Sequence, residues 1–373
     1  MQQIPKRADV VVVGAGIMGA AAAWALSARG HAVVVLEARR AGHREGSSHG
    51  SSRVFRRAYR EPHYIAMTGL AQDRWRRLEA ESGTSLLTLT GGLDHGRDPQ
   101  GLRDALHAGG VACELLSPGA AGRRWPHMRF ESPVAHYGAA GVFDPELATA
   151  EMLRLAAQCG ALVVHECPAS ALEPSASDVL VRVAGHEVRA AHVVVAAGPW
   201  TEGLLGGSVT LPTLTVTEQQ VFHFARRRHD DGQQWPIVLH NEPPAVYALP
   251  GGRDGVVPGN VKLGEHDAGS TTTADGRDGV VDPAARERMI EYVRHWWPGL
   301  EPTPIAEFSC VYTWTDDEDF VVDRIGRLVV LSPCSGHGAK FAPLIGEWAA
   351  DLVEGGDLPY PCFGLSGRGA SRA

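Results

Sequence analysis

The feature that most constrains this chain is a glycine-rich turn between a short apolar strand and a helix near the N-terminus. Residues 8–13 form a β-branched run typical of a strand buried on both faces, and they lead into the Gly-x-Gly-x-x-Gly turn of residues 14–19. Residues 20–29 predict an alanine-rich helix, and a second β-branched run, residues 31–36, ends at Glu37. This order of strand, turn, helix, strand and acid predicts a dinucleotide-binding unit.

Each glycine of this turn has its own physical task. Gly14 permits the tight turn, Gly16 lets a pyrophosphate approach the backbone, and Gly19 allows the helix to pack closely on the strand. The Glu37 carboxylate accepts hydrogen bonds from an adenosine ribose and disfavours the 2′-phosphate of NADP. The alternative is a glycine turn in an unrelated α/β unit. The cofactor contacts expected here are Gly14, Gly16, Ile17, Met18, Gly19, Glu37 and Ala38.

Composition argues against several classes of function. The 373 residues suffice for about two domains, and the net charge of −8 argues against a nucleic-acid partner, which is bound mainly by clustered Lys and Arg. No apolar run approaches the roughly 20 residues of a membrane span, and the N-terminus lacks the pattern of an export signal. The 6 cysteines form no C-x-x-C pair, so no metal site is expected. We therefore predict a cytoplasmic protein without nucleic-acid or membrane partners.

Two later segments favour FAD over NAD as the dinucleotide. Residues 192–200 predict a buried strand that ends in small residues and Gly198. Residues 328–340 repeat the plan of strand, glycine turn and helix, and residues 341–354 carry an apolar stripe at helical spacing. A cofactor contacted by the N-terminal, middle and C-terminal thirds of the chain must be long, which favours FAD.

Five blocks of sequence, in the same order and at similar spacing, resemble one known family. They are Gly14 to Gly19 with Glu37, the block from His43 to Arg56, Val261-Lys262-Leu263-Gly264-x-His266, Cys310-Val311-Tyr312-Thr313, and Ser335-Gly336-His337-Gly338-x-Lys340. Together they resemble the monomeric sarcosine oxidase and N-methyltryptophan oxidase family, within the DAO-type FAD-dependent oxidoreductases. The resemblance implies a monomeric amine oxidase whose flavin is held covalently through a cysteine.

The fold class implied is α/β, a discontinuous two-domain flavoprotein with a Rossmann-like FAD domain and an antiparallel-sheet substrate domain that covers the flavin. The predicted boundaries are 1–85, 142–208 and 308–365 for the FAD-binding domain, 86–141 and 209–307 for the substrate domain, and 366–373 for a tail expected to be disordered.

The resemblance assigns Cys310 as the thiol that carries the flavin as an 8α-thioether, which requires a partly ionised thiol at the methyl edge of the flavin. Cys334 is the rival thiol, and we interpret it as a packing residue. Arg53 matches a family cation that lies against the flavin. The further FAD contacts expected are Ser47, Ser48, His49, Ser52, Arg53, Ala169, Gly198, Cys310, Gly336, His337, Gly338 and Lys340.

Arg56 and Lys340 match the family's ligands for the substrate carboxylate, which they would clamp from two directions. Because Arg53 and Arg56 are three residues apart, a helical turn there would place both on one side. The alternative is an exposed basic face that also includes Arg57 and Arg60.

The walls of the substrate pocket match the family only in part. Tyr312 matches one aromatic wall, but Val246-Tyr247 stands where the sarcosine enzymes have two consecutive tyrosines, which puts sarcosine itself in doubt. His266 and His337 match active-site histidines expected to shape the pocket and the charge near the flavin. The alternative for each is a structural histidine.

Lys262 matches the family lysine that lies over the flavin and activates oxygen, because a cation in a dry site stabilises the charge of superoxide. The alternative is an exposed strand lysine. The reaction implied is oxidation of the C–N bond of a small amino, N-methyl amino or cyclic imino acid to an imine, with O2 reduced to hydrogen peroxide.

Other functions share part of this pattern. A dehydrogenase that passes electrons to another acceptor, or a glycine- or D-amino acid-type primary amine oxidase of a specialised biosynthetic pathway, would have the same flavin motifs. A tRNA-modifying relative would need a basic surface, which the charge of −8 disfavours. A non-catalytic dinucleotide sensor would have no use for Arg56, Lys262 and Lys340 together.

Overall fold

A computed structural model describes residues 4–183, 185–227 and 234–366, so residues 367–373 of the predicted tail lie outside the described residues. The strands are β1 (Arg7–Val13), β2 (Val33–Leu36), β3 (Arg53–Arg56), β4 (Leu87–Leu89), β5 (Gly92–Gly96), β6 (Glu114–Leu116), β7 (Val134–Tyr137), β8 (Ala140–Phe143), β9 (Leu162–Val164), β10 (Ala169–Pro174), β11 (Val179–Val183), β12 (His186–Val195), β13 (Thr215–Arg226), β14 (Ile237–Asn241), β15 (Val246–Pro250), β16 (Val261–Glu265), β17 (Ser270–Thr272), β18 (Leu300–Trp314), β19 (Val321–Ile325) and β20 (Leu328–Ser332). The helices are α1 (Ile17–Ala28), α2 (Pro62–Ser82), α3 (Pro99–Ala108), α4 (Pro118–Arg124), α5 (Pro145–Gln158), α6 (Thr201–Leu205), α7 (Pro283–Trp296) and α8 (Ala342–Val353). Within the described ranges, no helix is both long and apolar enough to cross a membrane.

An eight-stranded sheet contains the glycine-turn unit. Its order is β10-β11-β12-β1-β2-β9, with β20 beside β12 and β19 beside β20. Where β1, β2, β9, β12 and β20 pair with one another, they run parallel. The strand, helix and strand predicted around the glycine turn are β1, α1 and β2, and α1 begins at Ile17 rather than at residue 20. The strands predicted near residues 192 and 328 are β12 and β20, side by side in this sheet. The parallel arrangement brings the N-terminal, middle and C-terminal thirds of the chain to one sheet edge.

A nine-stranded, mostly antiparallel sheet is the second large sheet of the fold. Its order is β17-β13-β16-β15-β14-β5-β7-β6, and β18 pairs with β13 along most of its length. Its strands come from residues 86–141 and 209–307, except that β18 continues across the boundary predicted at residue 308. The domain boundaries themselves stay a prediction.

A three-stranded sheet, in the order β3-β8-β4, carries the two arginines predicted on a helical turn. That expectation is wrong, because Arg53 to Arg56 form β3, which pairs with β8 through its apolar centre, Val54 and Phe55. Residues three apart on a strand point to opposite faces. Arg53 therefore turns back to the preceding loop, and Arg56 turns to the other side of β3.

Pairing within the nine-stranded sheet decides which side chains share a face. Residues directly opposite each other on neighbouring strands point to the same side, and so do residues two apart along a strand. The pairs Leu239 with Tyr247, Leu249 with Lys262, and Val221 with Phe308 are in register. One face therefore carries Asp94, Val221, Leu239, Tyr247, Leu249, Lys262, Phe308, Cys310 and Tyr312. The opposite face packs in an apolar cluster with α7.

The first turn of α1 depends on a very close approach of two backbones. A Cβ atom at Gly19 would lie 1.8 Å from the carbonyl oxygen of Gly14, and one at Gly14 would lie 2.5 Å from the carbonyl oxygen of Ala196. Gly14 also has a φ of +100°, which favours glycine. These contacts are the physical reason why the tight turn needs glycine at Gly14 and why the close packing of α1 needs glycine at Gly19.

Gly19→Ala is expected to lower the free energy of unfolding by more than about 3 kcal/mol, because α1 must move away from β1 to admit the methyl group. The measurement is urea unfolding. Gly122→Ala is the matched control, since Gly122 lies in α4 with open space around it and alanine there is expected to be neutral or stabilising. An unfolding free energy of Gly19→Ala equal to that of the wild type would contradict the close-packing interpretation.

Candidate active site

The Glu37 carboxylate closes the glycine turn at the end of β2. One of its oxygens accepts the backbone N–H of Ala15 at 2.7 Å, and the other accepts that of Arg39 at 2.9 Å. Ala38 is exposed beside it, and the Glu37 carbonyl accepts the N–H of Cys167, which precedes Ala169 on β10. Glu37 thus stands at the sheet edge beside the N-terminus of α1, where an adenosine ribose would lie.

A loop of residues 46–52 joins this turn to a cavity. The Ser48 hydroxyl accepts the N–H of Ile17 at 2.9 Å, at the start of α1, and the Ser47 hydroxyl donates to the Val311 carbonyl on β18 at 2.7 Å. Arg53 donates to the carbonyls of His49 at 2.9 Å and of Ser47 at 3.2 Å. These contacts hold the loop between the two large sheets.

The cavity, with a volume of about 120 Å³, lies between the loop, β3 and the shared face of the nine-stranded sheet. The residues predicted from the sequence that line it are His49, Ser52, Arg53, Arg56, Tyr247, Lys262, His266, Cys310, Tyr312, Gly336, His337 and Lys340. The apolar part of the lining includes Phe143, Val221, Leu239, Leu249 and Phe308. Residues of the nine-stranded sheet, of the three-stranded sheet and of the segment that follows β20 therefore meet at one cavity.

Other predicted residues lie elsewhere. Val246 is buried on the opposite face of the nine-stranded sheet, in the cluster with α7, because adjacent strand residues alternate. Gly338 lies in a tight turn, where a Cβ would stand 1.4 Å from the Pro333 carbonyl oxygen. Gly198 has a φ of +54° just after β12, and Met18 lies half-buried in α1.

The dinucleotide predicted from the sequence fits this arrangement on two observations. A Cβ at Gly16 would meet only the flexible Ser48 hydroxyl, at 3.1 Å, so the bare glycine leaves a backbone cradle at the start of α1. At the other end of the loop, the Nε2 atom of His49 is buried without a hydrogen-bond partner among the described residues. A long ligand running from the cradle to the cavity would follow the loop between these two points.

Lys262 is buried at the floor of the cavity. Its ammonium donates to the Ser52 carbonyl at 3.2 Å. Burial, and after it the nearby Arg53, lowers the pKa of Lys262 to about 7, although Cys310 and Asp254 oppose this shift. Lys262 thus lies on the cavity face and is not the exposed strand lysine that was its alternative.

The two thiols compared from the sequence have different surroundings. Cys310 is 5% exposed, lines the cavity from β18 and lies opposite Gln219 on β13. Cys334 lies 3.4 Å from the Ser332 hydroxyl, and burial raises the pKa of its thiol. Only Cys310 of these two lies on the face that also carries Lys262.

Arg56 and Lys340 approach the cavity around one tyrosine that the sequence interpretation missed. The Lys340 ammonium donates to the Tyr59 hydroxyl at 2.8 Å and to the His337 carbonyl at 2.6 Å. Arg56 donates to the Ala58 carbonyl at 2.5 Å, and its guanidinium lies 5.0 Å from the centre of the Tyr59 ring. Burial and the charge of Arg56 lower the pKa of Lys340 well below its ordinary value. The two cations therefore flank one aromatic side chain.

Histidines and tyrosines complete the walls. The Nδ1 atom of His337 lies 3.1 Å from the Tyr59 hydroxyl, and burial, followed by Lys340, lowers the pKa of His337 well below its usual value. Burial, followed by Arg56, lowers the pKa of His266 as well. Burial raises the pKa of Tyr312 to about 12, and Tyr247 is its hydrogen-bonding neighbour. Neutral rings thus surround the cations.

Lys262→Met is expected to stabilise the purified protein near neutral pH. The folded chain holds Lys262 with a pKa of about 7 and the unfolded chain with its ordinary value of 10.5, so the cost of burying the ammonium is full below pH 7. That cost falls as pH rises from about 7 towards 10.5, by up to about 1.4 kcal/mol per pH unit.

The test is the unfolding free energy of both proteins from pH 6 to 9.5. The advantage of Lys262→Met should shrink above pH 7, whereas the control Lys6→Met, at an exposed lysine, should follow the wild type throughout. A constant difference between Lys262→Met and the wild type would contradict the depressed pKa.

Comparisons with known proteins extend over nearly the whole chain. A family model described as "FAD dependent oxidoreductase", DAO, matches residues 9–352. N-methyl-L-tryptophan oxidase from Yersinia pestis (strain Pestoides F) is 29% identical over 372 residues, which cover 95% of this chain and 96% of that protein.

Solved structures share the fold. NikD, described as an unusual amino acid oxidase essential for nikkomycin biosynthesis, aligns with a TM-score of 0.86 and 24% identity over 96% of both chains. L-proline dehydrogenase from P. horikoshii aligns with a TM-score of 0.84 and 20% identity over 97% of both chains. The predicted α/β fold class is confirmed.

Proposed function

Because this chain belongs to the DAO family of FAD-dependent oxidoreductases, we propose that it oxidises the C–N bond of a small amino, N-methyl amino or cyclic imino acid to an imine, with O2 as acceptor and hydrogen peroxide as product. The family and enzyme class predicted from the sequence are confirmed. The observation that carries the proposal is the cavity in which Arg56 and Lys340 stand opposite the face that bears Lys262 and Cys310.

The residues present fit FAD along a continuous path. Gly14, Gly16 and Gly19 would receive the pyrophosphate at the start of α1, Glu37 the ribose, and the loop of residues 46–52 would lead to the cavity. When bound, FAD would supply the two-electron acceptor for the hydride lost from the carbon beside the substrate nitrogen, so that the C–N single bond becomes the C=N bond of the imine.

The substrate's carboxylate would bind to Arg56 and Lys340. Lys340 is buried and Arg56 is half-buried, and the low pKa of Lys340 means that an arriving anion favours its protonated form. Burial tends to lower the pKa of Arg56, but the charge of Asp94, followed by the neighbouring Tyr59 and Tyr137, outweighs it and raises that pKa, so Arg56 stays charged. A carboxylate held from two sides fixes the adjacent C–N bond in one orientation.

The amine end of the substrate would lie among Tyr247, Tyr312 and His266. These groups are neutral at physiological pH, because burial raises the pKa of the two tyrosines and lowers that of the histidine. Nearby cations also disfavour an ammonium, so the substrate nitrogen is kept unprotonated for oxidation. This chain's contribution is therefore to orient the substrate and to hold the proton state of its nitrogen.

The names of the relatives support this class of substrate. N-methyl-L-tryptophan oxidase is named for an N-methyl amino acid, and L-proline dehydrogenase for a cyclic imino acid. Both molecules place a carboxylate beside the C–N bond. The name L-proline dehydrogenase also leaves open the alternative function, a dehydrogenase that passes its electrons to an acceptor other than O2. Action as a cytoplasmic monomer stays a prediction.

A peroxide-coupled screen tests the function. Glycine, sarcosine, N-methyl amino acids, proline, pipecolate and larger amino acids are compared with their amides, and the proposal expects oxidation of at least one carboxylate-bearing amine and little of its amide. Reduction by substrate without O2 consumption would instead favour the dehydrogenase. A holoenzyme reduced by none of these amines would overturn the proposal.

Covalent attachment through Cys310 predicts that the flavin stays with acid-precipitated protein. Cys310→Ser should release it into the supernatant, because the hydroxyl is a far weaker nucleophile than a thiolate. Cys334→Ser is the matched control and should keep the flavin in the pellet. A colourless wild-type pellet would contradict the attachment.

The oxygen-activating role of Lys262 predicts that Lys262→Met slows the half-reaction with O2 by about a thousandfold or more, but the anaerobic half-reaction with substrate far less, because the cation stabilises charge that develops on oxygen. Stopped-flow measurement separates the two. Lys6→Met is the control. Equal losses in both half-reactions would remove this role.

A further inference from the structure

A buried carboxylate stands behind Arg56. Asp94 lies in β5, on the same sheet face as Leu239 and Tyr247, and its side chain is only 2% exposed. Its Oδ1 atom lies 3.9 Å from the Nη1 atom of Arg56, whose side chain is 25% exposed. Asp94 does not line the cavity itself, so it reaches the cavity only through Arg56.

Two neighbouring strands hold Asp94 in place. The Tyr137 hydroxyl of β7 donates to Oδ2 at 2.5 Å, and the Asn241 amide of β14 donates to Oδ1 at 3.0 Å. Both strands pair directly with β5, so the three side chains share one face. A carboxylate with fixed hydrogen bonds is a rigid anchor, because neither oxygen is free to rotate towards water.

Arg56 needs such an anchor more than a fully packed residue does. A quarter of its side chain is exposed where Arg56 lines the cavity, so packing does not hold the guanidinium on every side. Within the described residues, Asp94 is the carboxylate that forms an ion pair with Arg56. A guanidinium has five N–H donors. The contacts with Ala58 and Asp94 both use Nη1, and Tyr137 is a further hydrogen-bonding partner, which still leaves donors for a ligand.

We propose that Asp94 is a positioning residue for anion recognition, which holds the Arg56 guanidinium from behind so that its remaining donors meet the substrate carboxylate. This inference rests on the proposed function. The opposing effect is repulsion between Asp94 and the bound carboxylate. It is the weaker one, because the ligand lies on the far side of the guanidinium and Coulomb energy falls with distance.

Asp94 also affects the net charge of the groups that would bind the substrate carboxylate. Arg56 and Lys340 are two cations, and Asp94 compensates one of them. A monocarboxylate then offsets the charge of Lys340, whereas a neutral amide leaves that charge uncompensated. The arrangement therefore favours carboxylates over their amides.

The test measures binding of benzoate and benzamide, two non-oxidisable probes, to the holoenzyme by calorimetry. Asp94→Asn keeps the shape of the side chain and one acceptor oxygen for Asn241, and its NH2 group can donate to the Tyr137 hydroxyl oxygen, but it removes the charge. It should weaken benzoate binding about tenfold while leaving benzamide unchanged. Asp94→Glu should recover part of the loss. In an Arg56→Lys background, which lacks the fork, Asp94→Asn should change benzoate binding less than twofold.

Two further measurements make the outcomes separable. Asp282→Ala, which removes the side-chain N-cap of α7 away from the cavity, controls for lost stability and should bind benzoate like the wild type. With the best substrate of the screen, Asp94→Asn should raise KM and change kcat little. Unchanged or tighter benzoate binding by Asp94→Asn, or an equal loss in the Arg56→Lys background, overturns the positioning role while the proposed function stands. A wild type that binds no benzoate and oxidises no amine overturns both.

Discussion

The alternation of side chains across the nine-stranded sheet decides what the cavity contains. Lys262 lies on β16, whereas Cys310 and Tyr312 lie on β18, which comes later in the chain. All three point to one side because both strands pair with β13 in a fixed register. A slip of one residue would turn them into the apolar cluster on α7. The apolar residues of the opposite face therefore maintain the register on which the chemistry depends.

The cavity concentrates positive charge at a cost to the folded chain. Arg53, Arg56, Lys262 and Lys340 all line it, and burial depresses the pKa of both lysines. Buried cations without matched anions raise the free energy of the folded state. An arriving carboxylate would relieve this cost, which is the physical basis of the proposed binding of a carboxylate substrate. Burial thus links the stability of the protein to its choice of ligands.

The sequence predicted the elements around the glycine turn because their signals are local. The β-branched runs, the glycine spacing and the acid at residue 37 each depend on a few neighbouring residues. The helical turn expected for Arg53 and Arg56 was wrong for the opposite reason. That segment becomes a strand by pairing with β8, which lies far along the chain. Spacing within the segment carries no information about such a partner.

Two residues beside the proposed carboxylate site, Tyr59 and Asp94, do not follow from the sequence analysis. A signal for Asp94 exists, since it is an isolated acid in the buried strand β5, and a buried charge requires a partner. The identity of that partner does not follow from the strand. Conversely, Val246 was placed in the pocket with its neighbour Tyr247, although adjacent strand residues point to opposite faces.

By itself, the sequence determined the dinucleotide-binding unit, the family and the set of residue types available for chemistry, because motifs are local and keep their spacing. Only the tertiary structure decided which side chains share the cavity, how deeply the lysines are buried, and that Asp94 stands behind Arg56. These properties depend on strand register and on contacts between distant segments, and on the desolvation that follows from them. They are set by packing in three dimensions, which no stretch of residues encodes alone.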